Sequence, residues 1–126
     1  MDLTGEWSGS YVYPGELHPV PFNASIRDHD GRLSGVIEEP AEPWSGMRDA
    51  HAVLTGERRG SAVSFTKVYD ALEAYPDPVL YEGTIDAEAC EITGEWQIAA
   101  NWSGSFIMTR PKRAEAEVEA EETAKA

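Results

Sequence analysis

The sequence predicts an all-β fold, an eight-stranded antiparallel up-and-down barrel, and three observations carry that prediction. Apolar and polar residues alternate with period two through most of the first 110 positions, the signature of half-buried strands. Eleven glycines and eight prolines break the chain into short pieces and leave no room for long helices. A short word, apolar–Ser/Thr–Gly–any–apolar, recurs as LTGEW, LSGVI, ITGEW and WSGSF, with looser copies at Leu54 (LTGER) and Tyr81 (YEGTI). Nearly the same words open and close the body of the chain, as first and last strands sharing one seam would.

Each element follows in order from its alternation. Residues 3–13 place Gly5, Trp7, Tyr11 and Tyr13 on one face, and 22–28 place Phe22, Ala24 and Ile26 there. Residues 33–39 contribute Leu33, Gly35, Ile37 and Glu39, and 51–58 contribute Leu54 and Gly56. Next, 62–69 carry Val63, Phe65, Lys67 and Tyr69, and 79–86 carry Tyr81, Gly83 and Ile85. The last two, 91–99 and 102–110, bring Ile92, Gly94 and Trp96, then Trp102, Gly104 and Met108. Glycine within a strand costs roughly 0.5–1 kcal/mol against alanine. Six on the inward face are explained by a small closed barrel, whose strands bend sharply and whose facing side chains need space. Closure also removes both sheet edges.

Two units result: a barrel over 1–111 and a charged tail over 112–126. The tail has helix-forming residues but a single large apolar one, Val118, so a solvated or frayed helical segment is expected. The whole chain carries a net charge of −13. Residues 1–110 alone hold seven basic and 18 acidic side chains, a net −11. Clustered Lys and Arg are what phosphate binding requires, so nucleic acid and anionic membranes are not expected partners. The lone cysteine, Cys90, calls for no oxidising compartment, and no stretch reads as a signal peptide or membrane span. A cytoplasmic location is expected.

Gly5-Glu6-Trp7 at the start of eight alternating strands, and Arg110 near the end of the last, resemble the calycin superfamily of avidins, lipocalins and fatty-acid-binding proteins. The resemblance runs from Leu3 to Arg110 in pattern and a handful of residues in identity. It implies a ligand-binding barrel in which Arg110 faces Trp7 and closes one end. Trp96 is expected buried in the same half, so that Trp7, Trp96 and Arg110 are the expected closure residues. Length and missing helices look most like avidin. The biotin-binding set of avidins is not traceable here, and neither is the histidine motif of nitrobindins, so neither ligand is implied.

The links 28–32, 58–61 and 86–91 are short and turn-rich, and Asp30-Gly31 and Arg59-Gly60 signal hairpins. The segments 14–21, 40–50 and 71–78 hold seven of the eight prolines together with Trp44, Met47 and Tyr75. Long, stiffened, aromatic-bearing loops mark the open, binding end. The candidate ligand-binding residues there are Tyr11, Tyr13, Phe22, Glu39, Trp44, Lys67, Tyr69, Tyr81 and Trp102. Lys67 is either paired with Glu39 or an anchor for an acidic or carbonyl group. No metal site, cofactor or catalytic residue is expected: His18, His29 and His51 are scattered, and no nucleophile has a base beside it.

The functional expectation is a non-enzymatic barrel for a small, partly apolar molecule with an acidic or carbonyl group. One alternative is an isomerase-, cyclase- or hydrolase-type enzyme using Glu39, Lys67 and Tyr69. The other is a filled barrel that assembles, homo-oligomers included, through outward residues such as Val12, Val36, Val53 and Ile107.

Overall fold

The computed structural model describes residues 1–16, 18–99 and 102–112. Eight strands run in chain order: β1 (Gly5–Val12), β2 (Val20–His29), β3 (Arg32–Pro40), β4 (Asp49–Arg59), β5 (Ala62–Tyr69), β6 (Val79–Ile85), β7 (Glu91–Ile98) and β8 (Trp102–Thr109). Each pairs antiparallel with the next, and β1 pairs with β8 to close the barrel. A single 3-10 turn over Pro43–Ser45 interrupts the β3–β4 link. The expected eight-stranded antiparallel barrel is present, its strands running from Gly5 to Thr109. The tail expectation lies outside the described residues apart from Lys112.

The alternation does its work on the inside. Ile26, Leu33, Ile37, Leu54, Val63, Ile85, Ile92 and Met108 are all buried, and the core they form with the aromatics fills the cylinder. The glycines are where strands crowd. A Cβ on Gly94 would lie 1.9 Å from the Glu82 carbonyl oxygen, and one on Gly56 would lie 2.1 Å from that of Ser64. Gly9, outside the six expected, makes room for the Phe22 ring, whose Cζ would be 2.4 Å from an added Cβ.

At one end the strands are joined by tight hairpins. Asp30 (φ 53°) and Gly31 (φ 91°) make the two-residue β2–β3 turn, where glycine's freedom at positive φ is needed. The Asp28 carboxylate ties this end together. It accepts from the Leu3 N–H at 3.0 Å, the Gly31 N–H at 2.9 Å and Arg58 Nε at 2.8 Å. Burial pushes its pKa up, but those donors outweigh burial and hold the carboxyl below its usual range. Leu3 and Trp7 plug the same end, and the Trp7 indole N–H donates to the Leu3 carbonyl at 2.9 Å. The Arg110 guanidinium lies 4.5 Å from the Trp7 ring centroid. It donates to the Thr4, Asp2 and Ala89 carbonyls, so one side chain joins the start of the chain, its last strand and the β6–β7 hairpin.

Trp96 does not belong with them. β7 leaves the hairpin end at Glu91, so Trp96 lies toward the opposite end, with its indole N–H on the Val12 carbonyl. It packs edge-on against Tyr11, Tyr13 and Trp102. The expected closure trio is therefore a pair.

Candidate aromatic mouth above a buried ion pair

The end opposite the hairpins carries the β1–β2, β3–β4 and β5–β6 links, and two distinct arrangements meet there. The deeper one is built around Glu39 and Lys67, which sit on β3 and β5 with β4 between them. On β4 Leu54 is opposite Lys67, but the next two inward positions toward the mouth are small: Ala52 is opposite Ile37 and Tyr69, and Ala50 is opposite Glu39. The two long side chains can therefore meet over it. Lys67 Nζ donates to Glu39 Oε2 at 3.2 Å, with the two residues 2% and 4% exposed. The Tyr11 hydroxyl donates to Glu39 Oε1 at 3.1 Å, and the Tyr69 hydroxyl donates to the same oxygen. The ammonium also faces the rings of Tyr69, Tyr11 and Tyr81 at 4.7, 4.8 and 5.3 Å, within cation–π range.

The electrostatics are self-contained. Burial lowers the Lys67 pKa, and Glu39 opposes that shift. Burial, followed by the Glu39 charge, drives Tyr11, Tyr69 and Tyr81 far above the ordinary phenol value. All three stay neutral, and Tyr11 and Tyr69 serve as donors to the carboxylate. No buried side-chain nitrogen or oxygen among the described residues lacks a partner.

The shallower arrangement is a cleft of about 410 Å³, and neither Glu39 nor Lys67 lines it. Tyr13 and Trp102 stack at 5.1 Å and 13°, and Tyr69 and Tyr75 stack at 4.4 Å and 23°. Trp44 leans on Tyr75 with ring centroids 5.2 Å apart. All five rings line the cleft, joined by Ile98 and the loop prolines Pro14 and Pro76. Glu42 braces it. The Tyr13 hydroxyl donates to Glu42 Oε1 at 3.0 Å, and the Glu42 N–H donates to the Tyr75 hydroxyl at 2.8 Å. Burial pushes the Tyr13 phenol up to about 12.

The expected site therefore divides. Tyr13, Trp44, Tyr69 and Trp102 come together at the cleft, while Tyr11, Phe22, Glu39, Lys67 and Tyr81 lie below it in the packed interior. Trp102 keeps the inward alternation of β8 but sits at the rim, 45% exposed, because the barrel ends there. Tyr69 alone belongs to both levels. Lys67 cannot anchor an acidic ligand from this position: its charge is committed to Glu39, and tyrosine rings cover it. Glu16, Glu42 and Asp77 line the cleft without having been singled out in the sequence, and Tyr75 was marked there only as a loop aromatic, because loops have no periodicity to betray direction. Two prolines flanking Glu42, at 40 and 43, were the only signal that its backbone is held.

No protein-family model matches the chain, and comparison with curated proteins finds no match. Among solved structures it is similar to a redesigned beta barrel, with a TM-score of 0.70 and 11% identity over 86% of this chain and 91% of that one. This likeness establishes the fold: the chain is a closed eight-stranded antiparallel barrel. Among the described residues no helix is long and apolar enough to cross a membrane.

Proposed function

We propose that the protein is a non-enzymatic carrier or sensor that holds a small, partly apolar molecule at its mouth, on a calycin-like barrel. The observation that carries the reading is the cleft itself, about 410 Å³ walled by five aromatic rings over a filled interior. That volume falls in the range of small-molecule sites, and stacked rings offer large contact area at low entropic cost. The calycin-like part is supported by Gly5-Glu6-Trp7 with Arg110 over Trp7. Native mass spectrometry of the protein purified from its source tests the reading. The expected result is a retained small molecule that is lost from a Trp102→Ala variant; a bare polypeptide mass with no ligand-dependent species would overturn it.

A second reading, assembly through the outer wall, is favoured by one feature. Val36, Val53 and Val68 stand side by side on β3, β4 and β5 in direct cross-strand register, and they are 58%, 52% and 38% exposed. The same spectrum discriminates, since a homo-oligomer without ligand supports assembly.

A further inference from the structure

We propose that the mouth cleft selects organic cations of the alkylammonium class, an inference that rests on the ligand-binding reading and names its chemistry. Three features agree, two in the lining and one in the whole chain. The first is the rings: Tyr13, Trp44, Tyr69, Tyr75 and Trp102 present π-faces and edges to one space. A ring face carries negative potential and attracts an alkylammonium whose weak hydration makes it cheap to desolvate.

The second is charge. Glu16, Glu42 and Asp77 line the cleft, and among its lining residues there is no lysine, arginine or histidine. Glu42 Oε1 is engaged by the Tyr13 hydroxyl, whereas Oε2 makes no hydrogen bond among the described residues. The Glu16 and Asp77 carboxylates have no hydrogen-bond or ion-pair partner among the described residues either, so three carboxylates stand around one aromatic box without a cation. The third is the field of the whole chain. At −13 the protein repels anions at long range and concentrates cations, which reinforces the local preference.

The same features exclude the acidic ligand expected at Lys67. An acid in the cleft would meet three carboxylates and no donor cation. A neutral molecule would use the rings and leave the charges idle. A cation uses both.

The test is titration of the intact chain with three matched probes: choline, its neutral isostere 3,3-dimethylbutan-1-ol, and the anion 3,3-dimethylbutanoate. Binding is read from the indole N–H resonances of Trp44 and Trp102. Choline is expected to bind at least about tenfold more tightly than the neutral isostere, with the carboxylate weakest, and its advantage should shrink with added salt. The Glu16→Gln/Asp77→Asn double variant should lose several-fold in choline affinity and keep its affinity for the alcohol. It should also keep the melting temperature, since neither carboxylate supports the fold. Equal or tighter binding of the alcohol or carboxylate would overturn the cationic preference and leave the ligand-binding reading standing. No resonance shift with any probe would overturn both.

Discussion

At the scale of single residues, Lys67 and Glu39 show how a buried charge is tolerated. Each would be costly alone, and together with two phenol donors they leave nothing unsatisfied. Lys67→Met strands the Glu39 carboxylate in the interior and should cost about 3–5 kcal/mol of stability in urea unfolding. Lys67→Met with Glu39→Gln removes both charges, keeps an amide oxygen for the Tyr11 and Tyr69 hydroxyls, and should recover most of that loss; a double variant as unstable as the single one would contradict a pairwise origin. The tyrosines give a pH signature of definite sign. A phenol whose folded pKa is raised contributes stability that is complete below the unfolded value near 10 and is lost as pH rises above it. Tyr11, Tyr69 and Tyr81 should therefore give no phenolate absorbance until the barrel unfolds at alkaline pH, and unfolding should steepen above about pH 10. The lowered Lys67 pKa acts in the opposite sense, but as one group against three. At the acid end Asp28 is the mirror case: its depressed pKa stabilises the fold above the ordinary carboxyl value, and that contribution disappears as pH falls through the depressed one.

At the scale of strands and links, the glycines within β3, β4, β7 and β8 are placed by the approach of neighbouring backbone. Gly94→Ala puts a methyl carbon 1.9 Å from the Glu82 carbonyl oxygen, so β6 and β7 must separate. The expected loss is roughly 1–3 kcal/mol by thermal or urea unfolding, and an unchanged stability would show that the pair has slack. Strands were legible because their signal is periodic. Residues 62–69 match β5 end for end, and β1 begins two residues later than the expected 3–13 because Leu3 and Thr4 enter by side-chain contacts with Asp28. The mouth was legible only in outline. Prolines and aromatics marked which loops would form it, but not that Tyr75 would fold back onto Tyr69 or that Glu42 would take the Tyr13 hydroxyl. Those contacts depend on where three loops converge, and local alternation carries no such information. Lys67 was legible as two readings: alternation gave its face and offered Glu39 as a partner. Only the fold, which brings β3 and β5 together across β4, decides for the pair over the ligand anchor.

At the scale of the whole molecule, the closed ladder is not uniform. β3 and β4 meet over nine residue pairs, whereas β1 and β8 meet over five, from Ser8–Thr109 to Val12–Ser105. The shortest ladder is also the one whose two sides are farthest apart along the chain, so its closure entropy is the largest of the eight. The cylinder thus has a zip with a fastener at its base. Arg110 pins that base to the Asp2 and Thr4 carbonyls, while the upper end of the seam runs out beside the mouth at Val12 and Tyr13. Breathing should start from that upper end. In native-state hydrogen exchange, the amides of Tyr11, Val12 and Ser105 should open at lower free energy than those in the middle of β3 and β4, and Arg110→Ala should extend the fast-exchanging stretch down toward Ser8. A ligand seated against Tyr13 and Trp102 would bridge the two sides of this zip and slow its opening. Occupancy of the mouth would then be felt along the length of the barrel as a change in how often the wall comes apart.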